Sequence, residues 1–168
     1  MEKYLKRLTH CTFSCNDYWA MEKFYTETLE LETIFTLDFD QKELDRYRAE
    51  GFELDRKPGD RWISYIKITP LEFIELYNVP YKGTNDPKNQ EFHHVTLLVE
   101  DIFEAAKTLE DKGVQLWKGP HWMNQPYTKP YAEEAKPEPC GSYAFFVADP
   151  EGNDVELLQY TENSLQMK

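Results

Sequence analysis

His10-Cys11-Thr12-Phe13-Ser14-Cys15-Asn16-Asp17 is answered, 84 positions later, by His94-Val95-Thr96-Leu97-Leu98-Val99-Glu100-Asp101. Each stretch opens on a histidine and reaches an aspartate seven residues on. A third landmark repeats too, because Glu75 and Glu156 lie 81 positions apart, each in an apolar segment that closes its half. Self-similarity over so long a period reads as a duplicated structural unit and outranks any single motif.

Working outward from the first copy, Thr9 to Asn16 alternates His10, Thr12 and Ser14 with Cys11, Phe13 and Cys15, the period of two that marks a strand with unlike faces. His10 falls on the more polar face. Asp17 then suits the N-cap of a helix over 18–29, in which Met21, Phe24, Tyr25 and Leu29 recur at helical spacing and are expected to pack on the Cys11-Phe13-Cys15 side. In the second copy Asp101 caps with Glu104 three residues on, and Gly113 ends the helix. Strands follow each helix: 31–37, 61–69 and 71–77 in the first half, 114–117, 143–148 and 154–160 in the second. Thr69-Pro70 and Asp149-Pro150-Glu151-Gly152-Asn153 mark the last turn of each half. The expected class is α+β, built of two tandem β-α-β-β-β modules over 6–78 and 92–161 with a linker over 79–91. Two insertions break the symmetry, a charged segment over 38–60 with a short helix at 41–50, and a Pro- and aromatic-rich loop over 121–141. Extra loops on a repeated scaffold often carry specificity.

Composition excludes several classes. With 168 residues the chain suits one compact domain or two small halves sharing a core. Nineteen Lys and Arg against 31 Asp and Glu give a net charge of −12, which opposes nucleic acid and anionic membranes as partners. No stretch is long and apolar enough to span a bilayer, and 1–8 lacks the apolar region of a signal peptide. Cys11, Cys15 and Cys140 form neither a disulfide framework nor a thiolate zinc pattern. A soluble cytoplasmic protein acting on a small molecule is expected.

The chemistry follows from parity. A strand-borne His and a strand-borne Glu from each half, meeting on a shared sheet, bring two imidazoles and two carboxylates to one point. His10, Glu75, His94 and Glu156 are therefore the expected ligands of one divalent ion, with Zn, Ni, Co, Mn and Fe(II) all suited to that donor set. An ionised Glu between apolar neighbours is costly unless paired or metal-bound. His94 is preferred over His93 because it keeps the 84-residue offset and the step to Asp101, and His121, in the long loop, reads as a surface or covering residue.

These features resemble the vicinal oxygen chelate superfamily of glyoxalase I, bleomycin-resistance proteins and extradiol dioxygenases, over 8–160. The most specific segments are Phe24-Tyr25, Phe73-Ile74-Glu75-Leu76 and Asp149-Pro150-Glu151-Gly152-Asn153-Asp154-Val155-Glu156-Leu157. The resemblance implies an eight-stranded cup made by paired modules, with the metal bound inside by the same four residues. One departure is Leu29-Glu30-Leu31, where family members carry Leu-Gly-Leu, so a non-glycine residue stands at a left-handed helix cap. Two His with two Glu resembles the glyoxalase I branch best, which implies isomerisation of a small oxygen-chelating substrate through an enediolate. Glu156 would move the proton, and Glu75 would be a ligand or its symmetric partner. An extradiol dioxygenase and a metal-free ligand-binding protein of the bleomycin-resistance type are the competing readings. The substrate of the glyoxalase branch implies a thiol conjugate, for which Arg46, Arg48, Arg56, Arg61, Lys118 and Lys129 are candidate anchors. Trp62, Trp117, Trp122, Tyr127, Tyr131 and Tyr143 are candidate walls of a pocket beneath the 121–141 loop. A homodimer is expected, with the module pair made within one chain or across two.

Overall fold

The computed structural model describes residues 8–81, 94–118 and 142–167. The chain divides into two compact units, Met1–Thr84 and Asn85–Lys168. It is a mixed α+β structure with one four-stranded sheet in each unit.

In the first unit the order is β1 (His10–Ser14), α1 (Tyr18–Lys23), β2 (Glu32–Asp38), α2 (Gln41–Ala49), β3 (Arg61–Thr69) and β4 (Glu72–Tyr77). The sheet runs β1-β4-β3-β2, with β1 and β4 parallel and the other pairs antiparallel. The second unit repeats this with β5 (His94–Leu98), α3 (Ile102–Asp111), β6 (Leu116–Lys118), β7 (Tyr143–Ala148) and β8 (Asp154–Gln159) in the order β5-β8-β7-β6. A parallel pair cannot be closed by a hairpin, so in each unit the helix and two further strands make the crossover between first and last strand.

The caps act as the sequence implies. Asp17 accepts a hydrogen bond from the Ala20 N–H at 3.1 Å, and Asp101 accepts from the N–H groups of Phe103 and Glu104 at 2.9 and 3.0 Å. These bonds satisfy donors that the first helical turn leaves open. Gly113 ends α3 at φ +80°, and its N–H donates to the Glu110 carbonyl.

The first helix departs from a plain α-helix. After Lys23 it widens into a π-helical turn over Phe24–Thr28, with the Leu29 N–H reaching the Phe24 carbonyl at 3.0 Å. The Thr26 hydroxyl donates to the Glu22 carbonyl four residues back, at 2.8 Å, the kind of side-chain bond that loosens a helical ladder. The widened turn buries both Phe24 and Tyr25, and Tyr25 stacks on Phe13 of β1. Met21, Tyr25, Cys15, Ile74 and Leu76 are all essentially inaccessible and form the core between helix and sheet. Glu30 follows at φ +59°, the left-handed cap expected at Leu29-Glu30-Leu31.

The 38–60 insertion folds back as a core of its own. Phe39, Leu44, Tyr47 and Val79 are buried together, with Phe52, Leu54, Trp62 and Tyr77 packed against them. Asp40 caps α2 by accepting from the Glu43 N–H at 2.8 Å. The 121–141 loop lies outside the described residues, as do His93 and His121. No helix among the described residues is long and apolar enough to cross a membrane.

Candidate functional site

Strand parity decides which side chains share a face. In the first unit Thr12 stands opposite Glu75 on the parallel β1–β4 pair, and Tyr65 stands opposite Glu75 on β3–β4. In the second unit Thr96 and Phe146 stand opposite Glu156 in the same way. Cβ alternation sends Ile74 and Leu76 to the helix side, where both are fully buried, and leaves Glu75 on the helix-free face. Val155 and Leu157 bracket Glu156 alike.

Both carboxylates are buried, Glu75 at 5% and Glu156 at 7% exposure. Such burial is costly for an anion unless donors surround it. Threonine provides one donor in each unit. The Thr12 hydroxyl donates to Glu75 Oε2 at 2.6 Å and the Thr96 hydroxyl donates to Glu156 Oε2 at 2.5 Å, short contacts typical of a charged acceptor. The histidines approach the same oxygens. His10 Nε2 is 3.8 Å from Glu75 Oε2, and His94 Nε2 is 3.4 Å from Glu156 Oε2. His10 Nδ1 bonds the Thr9 hydroxyl at 3.1 Å, which helps aim its other nitrogen at Glu75. An aromatic ring meets each imidazole edge-on, Tyr65 against His10 at 5.8 Å and Phe146 against His94 at 5.7 Å. Each unit therefore carries a half-site of His, Thr, Glu and an aromatic ring.

The two half-sites differ in one atom group. The Tyr65 phenol stands on the strand beside Glu75, and burial, followed by that carboxylate's influence, pushes its pKa up to about 12. Phe146, in the equivalent place, has no hydroxyl to offer. Phe35 stacks on Tyr65 with ring centroids 4.3 Å apart, and Phe73 meets Tyr65 edge-on, so the Glu75 side of the first sheet has an aromatic floor.

The donor geometry suits a metal. Two ligands about 2.0–2.2 Å from one tetrahedral ion stand about 3.4 Å apart, close to the His94–Glu156 separation and somewhat below that of His10–Glu75. The grouping is pairwise, however. Among the described residues no three His, Cys, Asp or Glu side chains gather as a ligand set. The structure thus brings His10 to Glu75 and His94 to Glu156.

Four of these residues, Thr12, Thr96, Tyr65 and Phe146, lie beyond the four expected ligands. Thr12 and Thr96 had a legible signal, since both follow their histidine by two positions and so share its strand face. Tyr65 had none, because the repeat puts phenylalanine at its counterpart. The expected anchors fare differently. Arg46 pairs with Glu43 and Glu50, Arg48 with Asp45, and Arg61 with Glu22 and Asp38, all within 4 Å. Trp62 packs in the insertion core and donates its indole N–H to the Tyr47 hydroxyl at 3.2 Å, while Tyr143 packs on Phe103. Lys118 and Trp117 side chains, with Trp122, Tyr127, Lys129 and Tyr131, fall outside the described residues.

The closing segment of the second unit is a tightly bonded turn. Asp149 Oδ1 accepts from the N–H groups of Glu151 and Asn153, and its Oδ2 accepts from the Asn153 amide, while burial raises the carboxyl's pKa. Gly152 at φ +82° completes it, and the turn delivers β8 in the register that faces Glu156 to Thr96.

Matched over residues 7–157 by the sequence model of the Glyoxalase/Bleomycin resistance protein/Dioxygenase superfamily, the chain belongs to that family. Its fold is similar to a glyoxalase family protein from Bacillus anthracis, at 18% identity and TM-score 0.57, covering 96% of this chain and 100% of that one. It is also similar to lactoylglutathione lyase from Agrobacterium tumefaciens, at 16% identity and TM-score 0.56, covering 92% and 94%. A glyoxalase/dioxygenase from Nostoc punctiforme matches at 17% identity and TM-score 0.57, covering 94% and 92%. Members of the superfamily bind small-molecule substrates, often with a divalent metal, and often form dimers.

Proposed function

We propose that this protein is a divalent-metal-dependent isomerase or lyase of the glyoxalase I type, with His10, Glu75, His94 and Glu156 as ligands and Glu156 as the proton-moving base. The observation that carries the reading is the duplicated half-site: a buried carboxylate, a threonine hydroxyl on one of its oxygens, and a histidine Nε2 within 3.8 Å. Plain structural ion pairs would not require the same four side-chain roles at matching register in both units. Two such half-sites, from one chain or from two copies in a homodimer, make up a His2Glu2 donor set.

A divalent ion in that set supplies Lewis-acid stabilisation of negative charge developing on substrate oxygen. The chain's own contribution is proton handling, and the half-site asymmetry divides the labour. Glu75 has the Thr12 hydroxyl as donor and the Tyr65 phenol on the strand beside it, which favour its remaining an acceptor-only anion. Glu156 has, among the described residues, the Thr96 hydroxyl and a phenylalanine in place of the phenol, and keeps Oε1 for a proton drawn from a carbon beside a carbonyl. The Thr96 hydroxyl holds the carboxylate in place throughout, since it can bond either protonation state. A thiol-conjugate substrate gains support from the likeness to the Agrobacterium lactoylglutathione lyase. It loses support from Arg46, Arg48 and Arg61, which spend their charge on the chain's own carboxylates.

The test is elemental analysis of protein purified without chelator, alongside Glu156→Gln, with turnover of methylglyoxal plus glutathione or bacillithiol. Near-stoichiometric Zn, Ni, Co, Mn or Fe in the wild type, with turnover lost in the variant, is the expected result. Absence of metal removes the reading, and cleavage of catechol in place of isomerisation reassigns the chemistry to the dioxygenase branch.

A further inference from the structure

Among the described arginines of the first unit, one is held in place by hydrogen bonds with no carboxylate beside it. Among the described residues Arg46, Arg48 and Arg61 each lie within 4 Å of a carboxylate, and Arg56 does not. In a chain where 31 acidic residues outnumber 19 basic ones, a counter-charge is the easiest partner for an arginine to find. Among the described residues Arg56 is bonded only to neutral acceptors: Nη2 donates to Asn78 Oδ1 at 2.9 Å and Nη1 donates to the Asp55 carbonyl at 2.9 Å. Its Nε is buried and has no hydrogen-bond partner among them.

Asn78 is built to hold that pose. It is buried, its Nδ2 donates to the Arg61 carbonyl at 2.8 Å, and its backbone N–H donates to the Trp62 carbonyl at 2.8 Å. With Nδ2 committed as donor, the amide can present only Oδ1 to Arg56, so the guanidinium is oriented by a fixed acceptor. Two of five N–H donors are used, and neutral acceptors leave the full positive charge in place. A planar, pre-oriented guanidinium with spare donors suits a carboxylate or phosphate oxygen pair, whose recognition by arginine is strong and directional.

We propose that Arg56, steered by Asn78, anchors a small anion, the carboxylate or phosphate group of a small-molecule ligand. The site lies at the end of the insertion that distinguishes the first unit from the second, where a specificity element is placed without disturbing the repeated half-sites. It stands whether or not those half-sites hold a metal.

The experiment follows the arginine Nε–H resonances of the full-length ¹⁵N-labelled protein during separate titrations with sodium phosphate and sodium acetate, at ionic strength held constant with sodium chloride. A saturable shift of the Arg56 resonance with either anion is expected, and the stronger of the two names the ligand group. Arg56→Lys keeps the charge and loses the fork, and should weaken binding by about tenfold. Arg56→Gln should abolish it. A response that never saturates and matches chloride alone overturns the proposal, as does a saturable shift around 54–57 and 78 that survives in Arg56→Gln. The wild-type titration decides the matter even where a variant fails to fold.

Discussion

Replacing Thr96 with valine removes one hydroxyl from a buried carboxylate and changes little else, because the two side chains are nearly the same shape. Glu156 is 7% exposed and, among the described residues, takes its one hydroxyl bond from Thr96, at 2.5 Å. A hydrogen bond to a charged group contributes about 1.5–3 kcal/mol, and a buried acceptor left without its donor adds its desolvation penalty. In protein stripped of metal, Thr96→Val should therefore cost about 2 kcal/mol, roughly a thirtyfold fall in the folded-to-unfolded ratio. Thr12→Val should cost less, about 1 kcal/mol, since the Tyr65 phenol on the neighbouring strand is free to turn to the vacated Glu75 oxygen. Adding Tyr65→Phe to Thr12→Val should bring the first unit to the Thr96→Val level. Urea denaturation of the three variants measures the differences. Repeating it with bound metal should shrink all of them, because the ion then offsets the carboxylate charge. A Thr96→Val cost within about 0.5 kcal/mol of zero, the range of an ordinary surface change, would refute the reasoning. So would a Thr12→Val cost larger than that of Thr96→Val.

Three further outcomes are expected. Glu30→Gly should raise stability by about 0.5–1 kcal/mol, the relief of left-handed strain less the entropy glycine adds to the unfolded chain, read as an increased Tm. Leu44→Ala should cost about 3 kcal/mol by opening a cavity in the insertion core while metal content stays at the wild-type level; unequal metal content would tie the insertion to the half-site instead. Burial holds the Tyr18 phenol above its ordinary pKa, so above about pH 10 the unfolded chain loses that proton first. Stability attached to Tyr18 is thus complete below pH 10 and falls as pH rises, and Tyr18→Phe should flatten the alkaline slope of the urea midpoint.

How far the sequence reaches is clearest at individual elements. β3 and β7 fall at the expected positions because alternating apolar runs between Gly and Pro signals leave few other registers. Asp17, Asp101 and Gly113 act as written, since caps depend on residues a few positions away. The helix expected over 18–29 was legible as a helix but not as one with a π-helical turn, which depends on how Phe24 and Tyr25 must both reach the sheet. Trp62 read as a pocket wall and became part of the insertion core, because the tertiary course of 38–60 supplies the surface it packs on.

By itself the sequence determined the repeat, the two α+β units, the strand faces, and the His and Glu pair in each half, because all of these rest on period, parity and local capping. Only the tertiary structure decided that Thr12 and Thr96 close on those carboxylates, that a phenol stands beside Glu75 where Glu156 has a phenyl ring, and that Arg56 meets Asn78 and, among the described residues, no carboxylate. Those facts are distances between residues far apart in the chain, such as Thr12 and Glu75 or Arg56 and Asn78. Sequence periodicity marks the face a side chain occupies, whereas strand order and register choose the neighbour it meets there.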